Sequence, residues 1–267
     1  MGQMQNLILV FFAGLVTALA TGLGVLPFYF RDDFHEKGQV ILWGLASGIM
    51  VSASIFGLVN EGLADGTVTE VAVGAGVGVI LVLVAEHLLE DTHLDPKQYA
   101  EADFKKLILI LGVLTIHSFP EGVAVGVSFA DLNLESGLQA FGFSIPLLAV
   151  FMTAAISIHN VPEGLAVSIP LKNLGVSKPR MVWWAVFSSL PQPVGAVVAY
   201  YFVRISRNLL PAGFGFAAGA MIFLVLTEFI PEALETGSDL PRGGKDVLTF
   251  GIAVGVLLMI PLLFVTH

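Results

Sequence analysis

The chain lacks cysteine altogether and is poor in charge. Without cysteine it can form neither disulfide bonds nor thiolate metal sites, and it offers no cysteine nucleophile. Only 12% of its 267 residues are charged, against about 25% in an ordinary soluble domain. The net charge of −9 comes without any basic run, which argues against a nucleic-acid partner. So little charge cannot cover a soluble surface of this size, and the lipid bilayer is therefore the expected solvent.

Long apolar segments account for most of the sequence, which is 56% hydrophobic. A membrane-spanning helix needs roughly 20 apolar residues. Eight segments qualify, at 6–29, 40–60, 67–89, 106–129, 142–169, 181–203, 211–234 and 247–266. Pro146 and Pro170 are expected to mark the ends of the fifth segment. The loops between segments are short, so the sequence predicts an all-α integral membrane protein with eight transmembrane helices in a single domain, residues 1–267.

The distribution of lysine and arginine predicts how these helices are oriented. Ten of the 12 basic residues fall in the first, third, fifth and seventh loops. The other two, Arg204 and Arg207, fall in the sixth loop. Because cytoplasmic loops of membrane proteins carry the excess of Lys and Arg, the odd-numbered loops are expected to be cytoplasmic and both termini extracytoplasmic.

Two internal repeats organise the sequence. The matching stretches are "HSFPEGVAVGV" (117–127) with "HNVPEGLAVSI" (159–169), and "GLASGIMV" (44–51) with "GFAAGAMI" (215–222). The second offset, 171 residues, also aligns Gly24 with Gly195. Five segments separate its copies, so the copies must run in opposite directions, as in the inverted repeats of secondary transporters. We therefore expect a 3+2+3 arrangement, although small-residue packing faces also recur in unrelated membrane bundles.

The first repeat places a histidine and a glutamate four residues apart in two predicted helices. His117 and Glu121 share one helix face, as do His159 and Glu163. An ionised glutamate at the centre of a membrane helix costs about 2.5–3.5 kcal/mol, and no lysine or arginine lies beside either motif. A divalent cation would neutralise two carboxylates, and imidazole with carboxylate suits zinc, iron(II) and similar metals. A structural His–Glu hydrogen bond and a proton relay stay open as alternatives.

The motifs "HSFPEG" (117–122) and "HNVPEG" (159–164) resemble the paired signature of the ZIP (Zrt-/Irt-like protein) family of divalent metal transporters, in a prokaryotic-type member. The stretches "GLASGIMVSAS" and "AAGAMIFLVLTEFIPEA" also look like the family's second and seventh spans. The resemblance implies that the transported metal is ligated by four residues, His117, Glu121, His159 and Glu163. It further implies that Met50 adds a thioether ligand, with ordinary packing as the alternative for this side chain.

The resemblance also implies a second metal beside the first, held by the residue after each histidine and by a glutamate before a proline in the sixth span. Those positions are occupied here by Ser118, Asn160 and Gln192. Because a neutral glutamine replaces an anion, we expect one strong metal site flanked by a weak or empty one. Glu228, one turn before Glu232 in the seventh span, is expected on the metal exit path, with helix packing or interfacial exposure as the alternative.

The sequence therefore predicts a transporter of the cell membrane that moves a divalent transition metal by exposing a midplane site to each side in turn. Zn²⁺ is the expected cargo, with Fe²⁺, Mn²⁺, Cd²⁺ and Co²⁺ unranked, and the resemblance implies movement into the cytoplasm. No cofactor besides the transported ion is expected. The alternatives are an intramembrane metalloenzyme, although no His-Glu-x-x-His motif is present, a metal exporter using the same ligands, and a passive channel-like bundle. The oligomeric state stays open, a homodimer included.

Overall fold

A computed structural model describes residues 3–30, 35–90, 118–134, 137–173 and 175–263. Helices account for most of them. The first three are α1 (Gln3–Thr21, continued by a 3₁₀ turn at Gly22–Val25 and a short helix at Pro27–Phe30), α2 (Glu36–Ser52, a π-helical turn at Ala53–Val59, and Asn60–Asp65) and α3 (Val68–Glu90). The others are α4 (118–128), α5 (Leu147–Asn173), α6 (Lys178–Ser188 and Pro191–Ile205), α7 (Leu210–Leu224, a π-helical turn at Val225–Phe229, and Ile230–Thr236) and α8 (Lys245–Leu263).

Six helices in the described part of the chain are long and apolar enough to cross a membrane. They are Gln3–Phe30, Glu36–Asp65, Leu147–Ile169, Lys178–Ile205, Arg207–Thr236 and Pro241–Pro261. The prediction of an all-α membrane protein is thereby confirmed at this level. In α3 the apolar part, Val68–Val84, is shorter, and residues 106–117 of the predicted fourth segment lie outside the described residues.

The fifth segment differs from the predicted range at its start. It begins at Leu147 rather than 142, because a two-stranded antiparallel hairpin precedes it, with β1 (Leu138–Ala140) paired to β2 (Phe143–Ile145). Its apolar spanning part, Leu147–Ile169, ends directly before Pro170 as predicted, and the helix itself continues to Asn173. Pro170 removes one intrahelical hydrogen bond without ending the helix.

Helices α2 and α7 share two features that the 171-residue offset brings into register. Each contains a π-helical turn, at Ala53–Val59 and Val225–Phe229. Each also has a small-residue face that contacts another helix backbone to backbone. Gly48 of α2 packs against Gly255 of α8, and Gly219 of α7 packs against Ala75 of α3, so closely that an added Cβ would collide with the partner's backbone.

Helices α4 and α5, which carry the paired motif, pack in the same close manner onto α6 and α1. A Cβ added at Gly164 of α5 would collide with the Thr21 carbonyl of α1, and one at Gly122 of α4 would collide with the backbone of Gln192 in α6. The helices thus form two groups, with α1, α4, α5 and α6 in one and α2, α3, α7 and α8 in the other. The paired motif lies where the groups meet, because α5 also contacts α2.

Candidate metal site

Three buried side chains from α4 and α5 form the centre of the site. Glu121, His159 and Glu163 each offer one ligand atom, and these atoms lie within 4.8 Å of one another. His159 Nε2 is 3.1 Å from Glu121 Oε1. The side chains are 2%, 0% and 4% exposed, respectively. The structure thus brings together three of the four residues that the sequence predicts as metal ligands.

The local structure of α5 explains why His159 and Glu163 meet. They are four residues apart, and the helix continues between them through Pro162 without a break, so both side chains lie on one face. Pro162 has no N–H, so the carbonyl of Ile158 loses its intrahelical partner. Gly164 follows at once and allows α1 to approach. The motif therefore sets two ligands on one helix face and a tight helix contact on another.

Three polar atoms of this cluster are buried and have no hydrogen-bond partner among the described residues: His159 Nδ1, Asn160 Oδ1 and Glu163 Oε2. Leaving a buried polar atom unpaired costs about 1–3 kcal/mol, so three together on neighbouring residues are unusual. Imidazole nitrogen and carboxylate or amide oxygen are the donors that first-row divalent metals accept. The donor set fits a transition-metal cation as a bound substrate.

The charges of the site point to the same kind of ligand. Glu121 and Glu163 both lie in the interior, where an ionised carboxylate needs a compensating charge. The buried polar side chains of the described residues include no lysine or arginine. One divalent cation would neutralise both carboxylates while the two imidazoles of the paired motif stay neutral.

Gln192 and Asn160 form a hydrogen-bonded chain beside Glu121. Gln192 Nε2 donates to Glu121 Oε2. Asn160 Nδ2 donates to Gln192 Oε1 at 3.0 Å and to the Thr17 carbonyl oxygen at 2.7 Å. Gln192 and Asn160 are completely buried. The sequence predicts these two residues near a second metal, and the structure gives Gln192 a different partner, the carboxylate itself.

The remaining predicted residues lie outside this three-residue cluster or outside the described residues. His117 lies outside the described residues, and Ser118, the first described residue of α4, is fully buried. Met50 of α2 is 1% exposed and belongs to the main apolar core, a placement that packing alone explains. Glu228 lies half-buried in the π-helical turn of α7 and close enough to Glu163 for the two carboxylates to repel each other.

Sequence reasoning missed Phe229, the residue after Glu228. Its ring stacks on the His159 imidazole, with centroids 5.1 Å apart and planes 22° apart. Trp43 of α2 also contacts Phe229, with ring centroids 5.0 Å apart. A phenylalanine in an apolar segment gives no signal of this role, because 20 phenylalanines are spread along the chain.

Comparison with known proteins places this arrangement in a family. A sequence model of the ZIP zinc transporter family matches residues 91–262. Zinc transporter GufA of Myxococcus xanthus is 33% identical over 261 residues, which cover 92% of this chain and 97% of that protein. Zinc transporter ZIPB of Bordetella bronchiseptica is 33% identical over 255 residues, or 90% of this chain and 75% of that protein.

A protein of Arabidopsis thaliana is 40% identical over 247 residues; this chain is matched over 90% of its length but spans only 36% of that larger protein. The family match covers well over half of the chain, and GufA aligns with it almost from end to end. The chain belongs to the ZIP zinc transporter family.

Proposed function

We propose that this protein carries divalent transition-metal cations, Zn²⁺ first among them, across the cell membrane into the cytoplasm. The observation that carries the proposal is the buried group of Glu121, His159 and Glu163 with its unpartnered polar atoms. Membership of a transporter family and six apolar helices of spanning length agree with it. The same membership supports a transporter rather than an intramembrane enzyme.

Each ligand has a role in this proposal. Glu121 and Glu163 supply oxygen atoms that replace water ligands of the ion and negative charge that balances it. His159 supplies a neutral nitrogen donor. His117, four residues before Glu121 on the same predicted face, is the fourth ligand. Met50 completes the shell with a soft thioether.

The residues around these ligands have weaker roles. Ser118 and Asn160 flank the histidines and offer oxygen atoms to an ion that is entering or leaving. Glu228, half-buried beside Glu163, accepts the ion next, toward the cytoplasm. A negative group one step beyond the site lowers the barrier to release, because transport requires binding that is weak enough to be reversed.

Eight spans in a 3+2+3 inverted repeat, with both termini extracytoplasmic, complete the proposal. Two π-helical turns in register and two matching pairs of close contacts, α2 with α8 and α7 with α3, support the repeat. The ligands come from the group formed by α1, α4, α5 and α6, whereas Met50 and Glu228 come from the other group. Alternating access would follow from motion of one group against the other, which exposes the shared boundary first outward and then inward.

Uptake into proteoliposomes tests this function. We expect saturable uptake of Zn²⁺ that is lost in His159→Ala and Glu163→Ala, because each variant removes a ligand and one of them also removes the balancing charge. His35→Ala is the matched control, since His35 is an exposed histidine before α2 and outside the site. The same assay with Fe²⁺, Mn²⁺, Cd²⁺ and Co²⁺ ranks the cargo.

The outcomes separate the alternatives. Uptake that rises linearly with metal concentration would replace the transporter with a passive channel. Transport only in the direction of export, in vesicles of known orientation, would reverse the proposed direction while keeping the ligands. Full activity of Glu163→Ala would rule out the proposed metal site.

A further inference from the structure

The hydrogen-bonded chain that ends on Glu121 has only one consistent direction. A backbone carbonyl can only accept, so Asn160 must turn its Nδ2 toward Thr17. The same Nδ2 also faces Gln192, which must therefore present Oε1 to it. The amide nitrogen of Gln192 is then left to face Glu121 Oε2, where it donates. Turning either amide over would set donor against donor or acceptor against acceptor.

The position of Gln192 is fixed by its surroundings as well as by these bonds. It lies between Pro191 and Pro193 at the start of the second half of α6, directly after the turn at Ser189 and Leu190. Its side chain is completely buried. Its backbone rests against α4 at Gly122, where any side chain would collide with it. A residue held this firmly can orient another group without reorganising when a ligand binds.

We infer that Gln192 is a positioning residue that adapts the site to a single divalent ion by holding one oxygen of Glu121 and leaving the other for the metal. Oε2 is engaged by the Gln192 amide, while Oε1 faces His159. This inference rests on the proposed function and defines its stoichiometry.

Charge balance supports the same number of ions. One divalent cation neutralises Glu121 and Glu163, and the buried neighbours on this side, Asn160 and Gln192, are neutral amides. A second cation beside Glu121 Oε2 would have to displace the amide donor and would leave excess positive charge in the interior, because Glu228 beside Glu163 adds only one more negative charge. A carboxylate at position 192 would remove the donor and bring the negative charges of the site to four, the number that two divalent cations need.

The test is the number of ions bound per chain by the full-length protein in detergent, measured by equilibrium dialysis with Zn²⁺ and again with Cd²⁺. Only ions lost on adding Glu121→Ala and Glu163→Ala together to the same background are counted, so binding elsewhere on the chain cancels. We expect one ion for the unsubstituted protein and two for Gln192→Glu. For Gln192→Leu, which keeps the shape roughly but cannot donate, we expect one ion with an affinity about 10 to 100 times weaker.

Asn6→Asp is the matched control, because it also changes a buried amide to a carboxylate. Asn6 lies near the start of α1, where it bonds to Tyr200 and Asn133 rather than to the site. We expect this variant to bind one ion with unchanged affinity. The thermal midpoint of each metal-free variant shows whether it is folded, and Gln192→Glu has nearly the size and shape of the original residue.

The inference is overturned if the unsubstituted protein binds two ions that Glu121→Ala and Glu163→Ala together remove, if Gln192→Glu still binds one, or if Gln192→Leu keeps its affinity. These failures leave the proposed function intact. If the two substitutions together remove no ion at all, the proposed function fails instead.

Discussion

Replacing Phe229 with leucine should weaken metal binding without abolishing it. The Phe229 ring covers one face of the His159 imidazole at 5.1 Å and is itself 8% exposed. Leucine keeps an apolar side chain at this point but removes the flat surface that restricts rotation of the imidazole. The metal must then order the imidazole when it binds, at a cost of about 0.5–1.5 kcal/mol. Since about 1.4 kcal/mol is tenfold in affinity, the Kd should rise about two- to tenfold.

Competition with a chromophoric chelator measures this Kd on purified protein. Phe187→Leu is the control, because Phe187 packs against Trp184 on α6 rather than against a ligand. The number of bound ions should stay the same in both variants. An unchanged Kd in Phe229→Leu would show that the stack does not organise His159. A loss as complete as in His159→Ala would show that Phe229 holds the site together rather than orienting one ligand.

Three further predictions concern charge, protons and packing. Glu163→Gln keeps the size of the side chain but removes half of the balancing charge, so the maximal rate of saturable uptake in proteoliposomes should fall at least tenfold. Metal affinity should fall as the pH is lowered from about 7 to 5, because protons compete for the same nitrogen and oxygen donors; a flat dialysis titration would contradict histidine ligation. Gly164→Ala should lower the thermal midpoint, since overpacking costs about 1–3 kcal/mol and the new Cβ meets the Thr21 carbonyl, whereas Gly76→Ala, with open space around it, should not.

The paired motif is the part of the site that the sequence predicts well. His159 and Glu163 lie four residues apart on one helix, so their proximity follows from helical geometry alone. The contact of Glu121 in α4 with α5 follows from the repetition of the motif. Burying two ionised carboxylates costs free energy, and one shared cation would compensate both. The membrane class follows from composition, since few charges and long apolar segments leave no other stable arrangement.

The contacts between distant segments are what the sequence does not predict. Gln192 meets Asn160 and Glu121 across separations of 32 and 71 residues, and no local pattern encodes such a pairing. Pro170 marks the end of the apolar span as a local rule predicts, although the helix itself continues to Asn173. The sequence does not predict the hairpin before α5, because its strands have only three residues each.

The π-helical turn in α7 allows one helix to pack against two sets of neighbours. Before that turn, Gly215 and Gly219 press against α3; after it, Ala233 packs with Val40 of α2 and Leu248 of α8. If the same residues formed a regular α-helix, the part of α7 beyond Phe229 would be rotated by about 100° about the helix axis. Ala233 would then point away from Val40 and Leu248. One additional residue in the turn therefore lets α7 keep both packing contacts, and the turn lies where Phe229 stacks on His159.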